Sequence, residues 1–316
     1  MRLPGSDRYI RYLTAKRTVD DRALNRQVYE RLTGLTAPWQ AARALRVLEV
    51  GCGTGAMAAR LLAWGLLRRA RYLGVDLSAA HLAAARELLP AWASELGLTS
   101  GETSSGNLVL EGPGQRLEAA FLAADVLDFL TRGESREHYD LVVAHAFLDL
   151  VNLEAVVPRL LACLATGGAF YFTLNFDGAT TFWPPLDPTL DAGIEAHYHQ
   201  SMDDRRVAGA ATGGSHTGRR LFSLLPRCGG RLLAAGASDW VVFAGPGGYP
   251  HDEEFFLEAI LSMVEEALAG RLDRRELTRW VAARRRQLAA GDLVFLAHHL
   301  DFCGLKAGSG AYGEYG

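Results

Sequence analysis

The chain has 316 residues, is 49% hydrophobic and 22% charged, and carries a formal net charge of -3. That balance supplies the apolar mass for a sizeable core and lacks the basic excess that phosphate backbones attract, so nucleic acid is not the expected partner. No apolar run reaches the ~20 residues of a bilayer span, and the Met1 to Asp21 stretch is charged where a secretory signal would be apolar, so a cytoplasmic protein with no membrane partner is expected.

Residues 1 to 44 read as two short helices, with Val19-Asp20-Asp21 capping the second, and form a helical cover segment ahead of one domain over 45 to 316. A short apolar strand, Arg46 to Val50, leads into a helix over Ala56 to Leu67, where Met57, Leu61 and Trp64 recur at helical spacing. The second strand, Tyr72 to Val75, ends at Asp76; Ser78 caps the next helix, which Pro90 is expected to break or kink. Thr99 to Gln115 reads as a surface hairpin arm, followed by strands at Leu117 to Ala123 and Leu141 to Ala144. Asn152 then caps an amphipathic helix that Gly167-Gly168 should end. A fifth strand covers Ala169 to Leu174. The irregular stretch beyond it, at about 176 to 216, reads as an inserted lid that binds the acceptor. A helix over Arg219 to Pro226, a strand over Leu232 to Phe243, helices at Glu253 to Leu268 and Arg274 to Leu288, and a final strand over Leu293 to Leu305 complete the chain. The alternation predicts an α/β fold with a doubly wound, mostly parallel, seven-stranded sheet whose last strand is antiparallel.

The four cysteines, Cys52, Cys163, Cys228 and Cys303, form no CxxC pair and read as free thiols. The chemistry concentrates instead at Gly51-Cys52-Gly53-Thr54-Gly55, where glycines between a strand and a helix let a backbone approach a nucleotide-like ligand beside free helix N–H groups. Alone this turn also satisfies the relaxed dinucleotide fingerprint, and Asp76, placed to accept from ribose hydroxyls, serves both readings. Three features separate them. Glu49 puts a carboxylate where a dinucleotide domain has an apolar residue, and it suits the amino group of a methionine moiety. Asp125 ends the third strand at the place of an adenine amine, and the chain closes with a strand that inserts antiparallel beside its predecessor.

Through Val47-Leu48-Glu49-Val50-Gly51-Cys52-Gly53-Thr54-Gly55, Gly74-Val75-Asp76-Leu77-Ser78, Ala124-Asp125-Val126 and Tyr139-Asp140-Leu141-Val142-Val143, the sequence resembles the Rossmann-like class I S-adenosylmethionine-dependent methyltransferases. The motifs cover about residues 45 to 175. The resemblance implies S-adenosyl-L-methionine as cofactor, held by Glu49, Gly51, Cys52, Gly53 and Gly55, by Asp76 with Leu77, by Asp125 with Val126, and by His145 after the fourth strand. Cys52 reads most simply as a small residue in a tight turn, and a helix cap is the other reading of Asp125.

Ligands of doubly wound sheets sit at the carboxyl ends of the strands. That rule selects His145, Phe147, Asp149 and Asn152 after the fourth strand, and Asn175, Phe176, Phe182 and Trp183 after the fifth, as neighbours of a small-molecule acceptor. His145 is the candidate general base, with packing or cofactor contact as the other reading. His197, His199 and His216 of the lid are further candidates. The helix start Gly213 to Arg220, with Arg219, is a candidate seat for an anionic acceptor group. His197-Tyr198-His199, with both histidines on one face if extended, and His298-His299-x-Asp301 have no metal-site spacing, and no metal is expected. Two alternatives stand beside the small-molecule reading. One is an RNA or protein methyltransferase, although Ala144-His145-Ala146-Phe147 replaces the Asn/Asp-Pro-Pro-aromatic run used on exocyclic amines. The other is an NAD-dependent oxidoreductase, which Glu49 opposes. The sequence names neither the acceptor nor an oligomeric state.

Overall fold

The structure is a computed structural model that describes residues 7–131 and 136–308. Two helices open it, α1 (Asp7–Ala23) and α2 (Arg26–Ala42). The cap of the second is Asn25, whose side chain accepts from the Val28 N–H at 3.1 Å. The expected cap at Val19-Asp20-Asp21 lies inside α1, because Val19 and Asp20 are buried there as part of the helix's packed face. The alternating units follow: β1 (Leu45–Val50), α3 (Ala56–Ala63), β2 (Arg69–Asp76), α4 (Ala79–Glu95), β3 (Thr99–Glu102), β4 (Leu108–Gly112), β5 (Gln115–Ala123), α5 (Val126–Thr131) and β6 (Tyr139–His145). Helix α4 continues unbroken past Pro90, with Leu89 on one side and Trp92 and Ala93 on the other all buried, so packing overrides the missing N–H.

After a 3-10 turn at Leu148–Leu150 come α6 (Leu153–Cys163), β7 (Leu164–Trp183), α7 (Pro188–Asp203), the two-residue strands β8 (Arg206–Val207) and β9 (Ala210–Ala211), a second 3-10 turn (Gly214–His216), and α8 (Thr217–Arg227). Strands β10 (Gly230–Ala237) and β11 (Trp240–Val242), helices α9 (Glu253–Leu268) and α10 (Arg274–Ala290), and β12 (Val294–Lys306) complete the described chain. No helix of the described residues is long and apolar enough to cross a membrane.

The main sheet runs in the order β10-β12-β7-β6-β1-β2-β5-β4-β3, with β11 also paired to β12. The expected seven strands, from β10 to β5, are its centre, and β12 lies antiparallel to both β7 and β10. Three more strands extend it: the hairpin β3–β4 beyond β5, and β11, which continues the predicted Leu232 to Phe243 strand after a break at Ser238-Asp239. One layer of helices, drawn from α1 to α4, α9 and α10, buries Val47, Val143 and Tyr171; the opposite layer of α5, α6 and α8 buries Leu48, Val142 and Phe172. Alternate residues of each strand therefore enter opposite cores, as period-two geometry demands.

The largest departure from expectation is β7. Its 20 residues start where α6 stops, so Gly167-Gly168 lies within the strand and does not end the helix, and it continues to Trp183, past the expected end at Leu174. At Leu174 the backbone turns left-handed (φ 51°), and the ladder to β12 slips; the Asp301 carboxylate accepts the freed Leu174 N–H at 2.8 Å. Beyond that kink the strand resumes against β12, from His299↔Phe176 to Val294↔Trp183. The expected irregular lid at 176 to 216 is thus a strand extension, a four-turn helix and a small hairpin.

Candidate functional site

The carboxyl edges of β1 and β2 meet in the glycine turn. Gly51, Gly53 and Gly55 have φ of 66°, 52° and 77°, a region other residues reach only with strain. The turn is tied down by Gly51 N–H to the Val75 carbonyl (2.8 Å) and by Gly53 N–H to Asp76 Oδ2 (2.9 Å). Asp76 Oδ1 also accepts from Ser78 N–H (2.8 Å) and faces His81 Nδ1 (3.1 Å). Beneath the turn Glu49 is buried and accepts from the Tyr72 hydroxyl at 2.9 Å. Burial pushes its carboxyl up to about 8, against the opposing pull of Tyr72 and the Arg60 guanidinium. Cys52 packs on Gly74, where a Cβ would lie 2.8 Å from its Sγ, and burial pushes that thiol well up. Leu77 stands 67% exposed beside Asp76, an apolar surface open to a planar ring.

Asp125 is exposed at the end of β5, where Oδ1 caps α5 by accepting from the N–H groups of Leu127 (2.8 Å) and Asp128 (3.1 Å). Val126, next to it, is buried in the core with Phe129. Thr54 Oγ1 inside the turn and His81 Nε2 beside it are buried without hydrogen-bond partners.

Helix α1 roofs this edge. Tyr9 stacks on His81 (centroids 5.5 Å, 19°), and Leu13 Cδ1 lies 3.5 Å from where a Cβ on Gly53 would stand. Two turns further, Asp20 accepts from Lys16 Nζ (2.6 Å) and Trp240 Nε1 (2.9 Å) and meets His145 Nε2 at 3.0 Å, while Arg60 Nε reaches Asp21. Burial pushes the Asp20 carboxyl up, but Lys16, His145 and Arg60 outweigh it and hold it well below the usual carboxylate range. The imidazole of His145 is held down to about 4, by burial first and with Asp20 opposing. It is therefore neutral at neutral pH: Nε2–H donates to Asp20, and Nδ1 accepts from the Thr173 hydroxyl at 2.8 Å. With both nitrogens engaged, this geometry supports the packing reading of His145, and its use as a free general base loses its footing.

The other acceptor-side candidates do not converge. Phe147 does reach the glycine turn, its ring lying over Gly51 so that a Cβ there would come within 2.2 Å of Cδ2. Asn175 is buried in the sheet, donating to the Leu300 carbonyl at 2.8 Å. Trp183 is exposed at the far tip of β7, on the rim of a hollow of about 200 Å³ lined by Phe182, Tyr198, Trp280 and Arg284. His197 and His199 lie on helix α7, not on a strand, so they point about 200° apart. His197 Nδ1 donates to the Gly193 carbonyl one turn back (2.7 Å), and His199 meets Thr180 Oγ1 (3.1 Å) and the edge of Phe176. His216 is exposed against Gly178.

Arg219 is a correction. The start of α8 already holds an anion, the side chain of Asp177, whose Oδ1 accepts from Arg219 N–H and Nε, both at 2.9 Å. Gly218 permits this approach, since a Cβ there would sit 2.9 Å from Asp177 Cβ. Among the described residues no group of three or more His, Cys, Asp or Glu is arranged to hold a metal, and His298 pairs with Asp239 at 2.7 Å.

Sequence reasoning missed the inner face of α1. Tyr9, Tyr12, Lys16 and Asp20 recur at three- and four-residue intervals, so a buried polar stripe was there to be read. His81, three residues after the Ser78 cap, was also within reach.

Residues 47–105, from β1 into the β3–β4 hairpin, match a family model described as a methyltransferase domain. No curated protein matches the chain. Several solved structures are similar in part. Phosphoethanolamine N-methyltransferase 2 of Haemonchus contortus, in complex with phosphomonomethylethanolamine and S-adenosylhomocysteine, is 15% identical over 84% of this chain and 49% of its own, with a TM-score of 0.41. This chain thus spans about half the length of that protein. The YcgJ protein of Bacillus subtilis is 12% identical over 88% of this chain and 98% of its own (TM-score 0.47). An S-adenosylmethionine-dependent methyltransferase of Methanosarcina mazei is 12% identical over 84% and 93% (TM-score 0.44). Likeness at this level says nothing of what the present chain acts on.

Proposed function

We propose that this chain, whose residues 47–105 match a methyltransferase-domain model, is an S-adenosylmethionine-dependent methyltransferase that transfers a methyl group to a small-molecule acceptor. The observation that carries the reading is the junction of β1 and β2, where three left-handed glycines open a backbone cradle that Asp76 pins through the Gly53 N–H. The residues fit the cofactor on physical grounds. The orphaned Thr54 hydroxyl lies in the cradle, the Asp76 carboxylate borders it, and exposed Leu77 offers an apolar face for an adenine ring. Gly51, Gly53 and Gly55 would hold the cofactor's backbone side and Asp76 its ribose, while Asp125 and Val126 lie at the adenine end of the sheet edge. When bound, the cofactor supplies an electrophilic methyl group on a sulfonium.

The chain's own part is to hold a nucleophile aligned and dry. Phe147 and Leu13 screen the glycine turn from water, and Tyr9 closes the His81 side. Glu49, beneath the turn, is held at a pKa near 8, and a cationic amino group close by would favour its ionised form.

Isothermal titration with S-adenosylhomocysteine and with NAD tests the reading. Saturable one-to-one binding of S-adenosylhomocysteine, weakened by Asp76→Ala, is the expected result; binding of NAD alone would return the glycine turn to the dinucleotide class.

A further inference from the structure

Between α1, the turn after β6 and the end of α7 stands a group of charged and phenolic side chains of which the cofactor edge uses only Tyr9. Tyr9 and Tyr12 come from α1, their ring centroids 5.6 Å apart. Asp149 belongs to the 3-10 turn Leu148–Leu150, Tyr198 to α7, and Arg205 follows α7 directly. Each perturbs its neighbours. Burial raises the tyrosines and Asp149 alike; beyond burial, Arg205 draws Asp149, Tyr9 and Tyr198 toward ionisation, while the Asp149 charge opposes it in all three tyrosines.

The backbone locks the parts together. A Cβ on Gly213 would lie 2.7 Å from the Leu148 carbonyl oxygen and 2.9 Å from Asp149 Cα, so the segment bearing Thr212 lies flush against the Asp149 turn. Thr212 N–H in turn donates to the Arg205 carbonyl at 3.3 Å. Two donors on residues whose backbones are joined in this way have no acceptor among the described residues: Arg205 Nη1, which is buried, and the hydroxyl of Thr212, a residue only 4% exposed. A buried guanidinium nitrogen with nothing to bond is costly, and Asp149 does not relieve it, since Arg205 acts on that carboxyl through space and not through a hydrogen bond. Two residues before Asp149, Phe147 covers Gly51, so the cluster adjoins the glycine turn.

We propose that this cluster is the acceptor pocket and that it takes a small molecule bearing both an amino group and an anionic group. Arg205 and the Thr212 hydroxyl hold the anion, whose planar or tetrahedral oxygens suit a guanidinium fork. Asp149 and the faces of Tyr9, Tyr12 and Tyr198 hold the amine, a cation between a carboxylate and aromatic rings. The inference rests on the methyltransferase reading, because the amine is an acceptor only if the methyl donor binds beside it.

The test is calorimetry on the full chain saturated with S-adenosylhomocysteine. The probes are glycine, β-alanine, 4-aminobutyrate and aminomethylphosphonate, with n-butylamine and butyrate as single-group controls. At least one two-headed probe should bind about tenfold or more tightly than either control, with the carboxylate and phosphonate arms identifying the anion. Arg205→Met and Asp149→Asn should each weaken that probe about tenfold or more, Arg205→Lys should weaken it less, and S-adenosylhomocysteine affinity should stay unchanged, which shows the variants are folded. Equal binding of controls and two-headed probes, binding of none of them, or an Arg205→Met chain that binds the probe like the parent would overturn the pocket. Failure of the parent chain to bind S-adenosylhomocysteine would instead overturn the methyltransferase reading, and this inference with it.

Discussion

Glu49 shows how one residue can be written into a motif and still carry a thermodynamic cost. It sits under the glycine turn with the Tyr72 hydroxyl as donor, and burial pushes its carboxyl up to about 8 from an ordinary value of 4.5. Between those values the folded chain keeps a proton that the unfolded chain releases, so stability falls as pH rises through that window and levels off on either side. The loss across the window should be on the order of 2–5 kcal/mol. Urea melts of the parent and of Glu49→Gln at pH 5 and pH 8 check this: the gap between them should open in favour of the variant as pH rises, and parallel curves would remove Glu49 as the source. Residue identity at this edge was legible in the sequence, because the turn, Glu49 and Asp76 are local in the chain. So was the capping role of Asp125, which accepts from the N–H groups two and three residues on. What His145 does was not, because it is decided by Asp20 on α1, 125 residues away.

At the scale of elements, one carboxylate ties α1 to the sheet beside the apolar packing of Tyr12, Ala15 and Val19. Asp20 joins Lys16 of its own helix to His145 at the end of β6 and Trp240 of β11, all in a buried setting. Removing it strands a buried ammonium and two donors, and unpaired buried charge costs about 3–5 kcal/mol. Asp20→Ala should lower the unfolding free energy by that order, with a drop in S-adenosylhomocysteine affinity, since the roof over Gly53 loosens with it. A denaturant midpoint within error of the parent would show that α1 is anchored elsewhere. The same scale explains which elements the sequence revealed. Parallel strands β1, β2, β5 and β6 are short apolar runs, readable one by one. The extension of β7 depends on β12, more than a hundred residues later, for every ladder bond, and nothing local announces it. Helix α7 was hidden for another reason: Asp187-Pro188 looks like a loop but is a cap followed by proline in the first turn, with Asp187 accepting from the N–H groups of Thr189 and Leu190.

Across the whole molecule the glycine turn and the far arm of the sheet rest mainly on different elements, bridged by the Trp240–Asp20 bond between β11 and α1. The glycine turn rests on β1, β2 and the roof of α1, whereas the arm made by the far half of β7, β11 and β12 rests on α7, α9 and α10. Arg284 fastens that arm: wholly buried, it donates to Asp191 at the start of α7 (2.6 Å) and to the Pro184 carbonyl (2.6 Å), with its guanidinium 5.1 Å from the Trp280 ring centroid. The acid it holds also accepts from Trp280 Nε1 at 2.6 Å, so loss of Arg284 leaves a half-buried carboxylate with one partner fewer. Arg284→Met should therefore destabilise the chain by about 3 kcal/mol, at the lower end of broken buried pairs because Asp191 stays partly solvated. Its functional effect should be uneven. S-adenosylhomocysteine binding draws on the other end of the sheet and should be unchanged, whereas α7, with Tyr198 on it, loses its tether, so affinity for the two-headed acceptor probe should fall. Calorimetry with both ligands on one preparation makes the comparison; parallel loss of the two would mean that the ends are coupled through the sheet and do not work as separate sites.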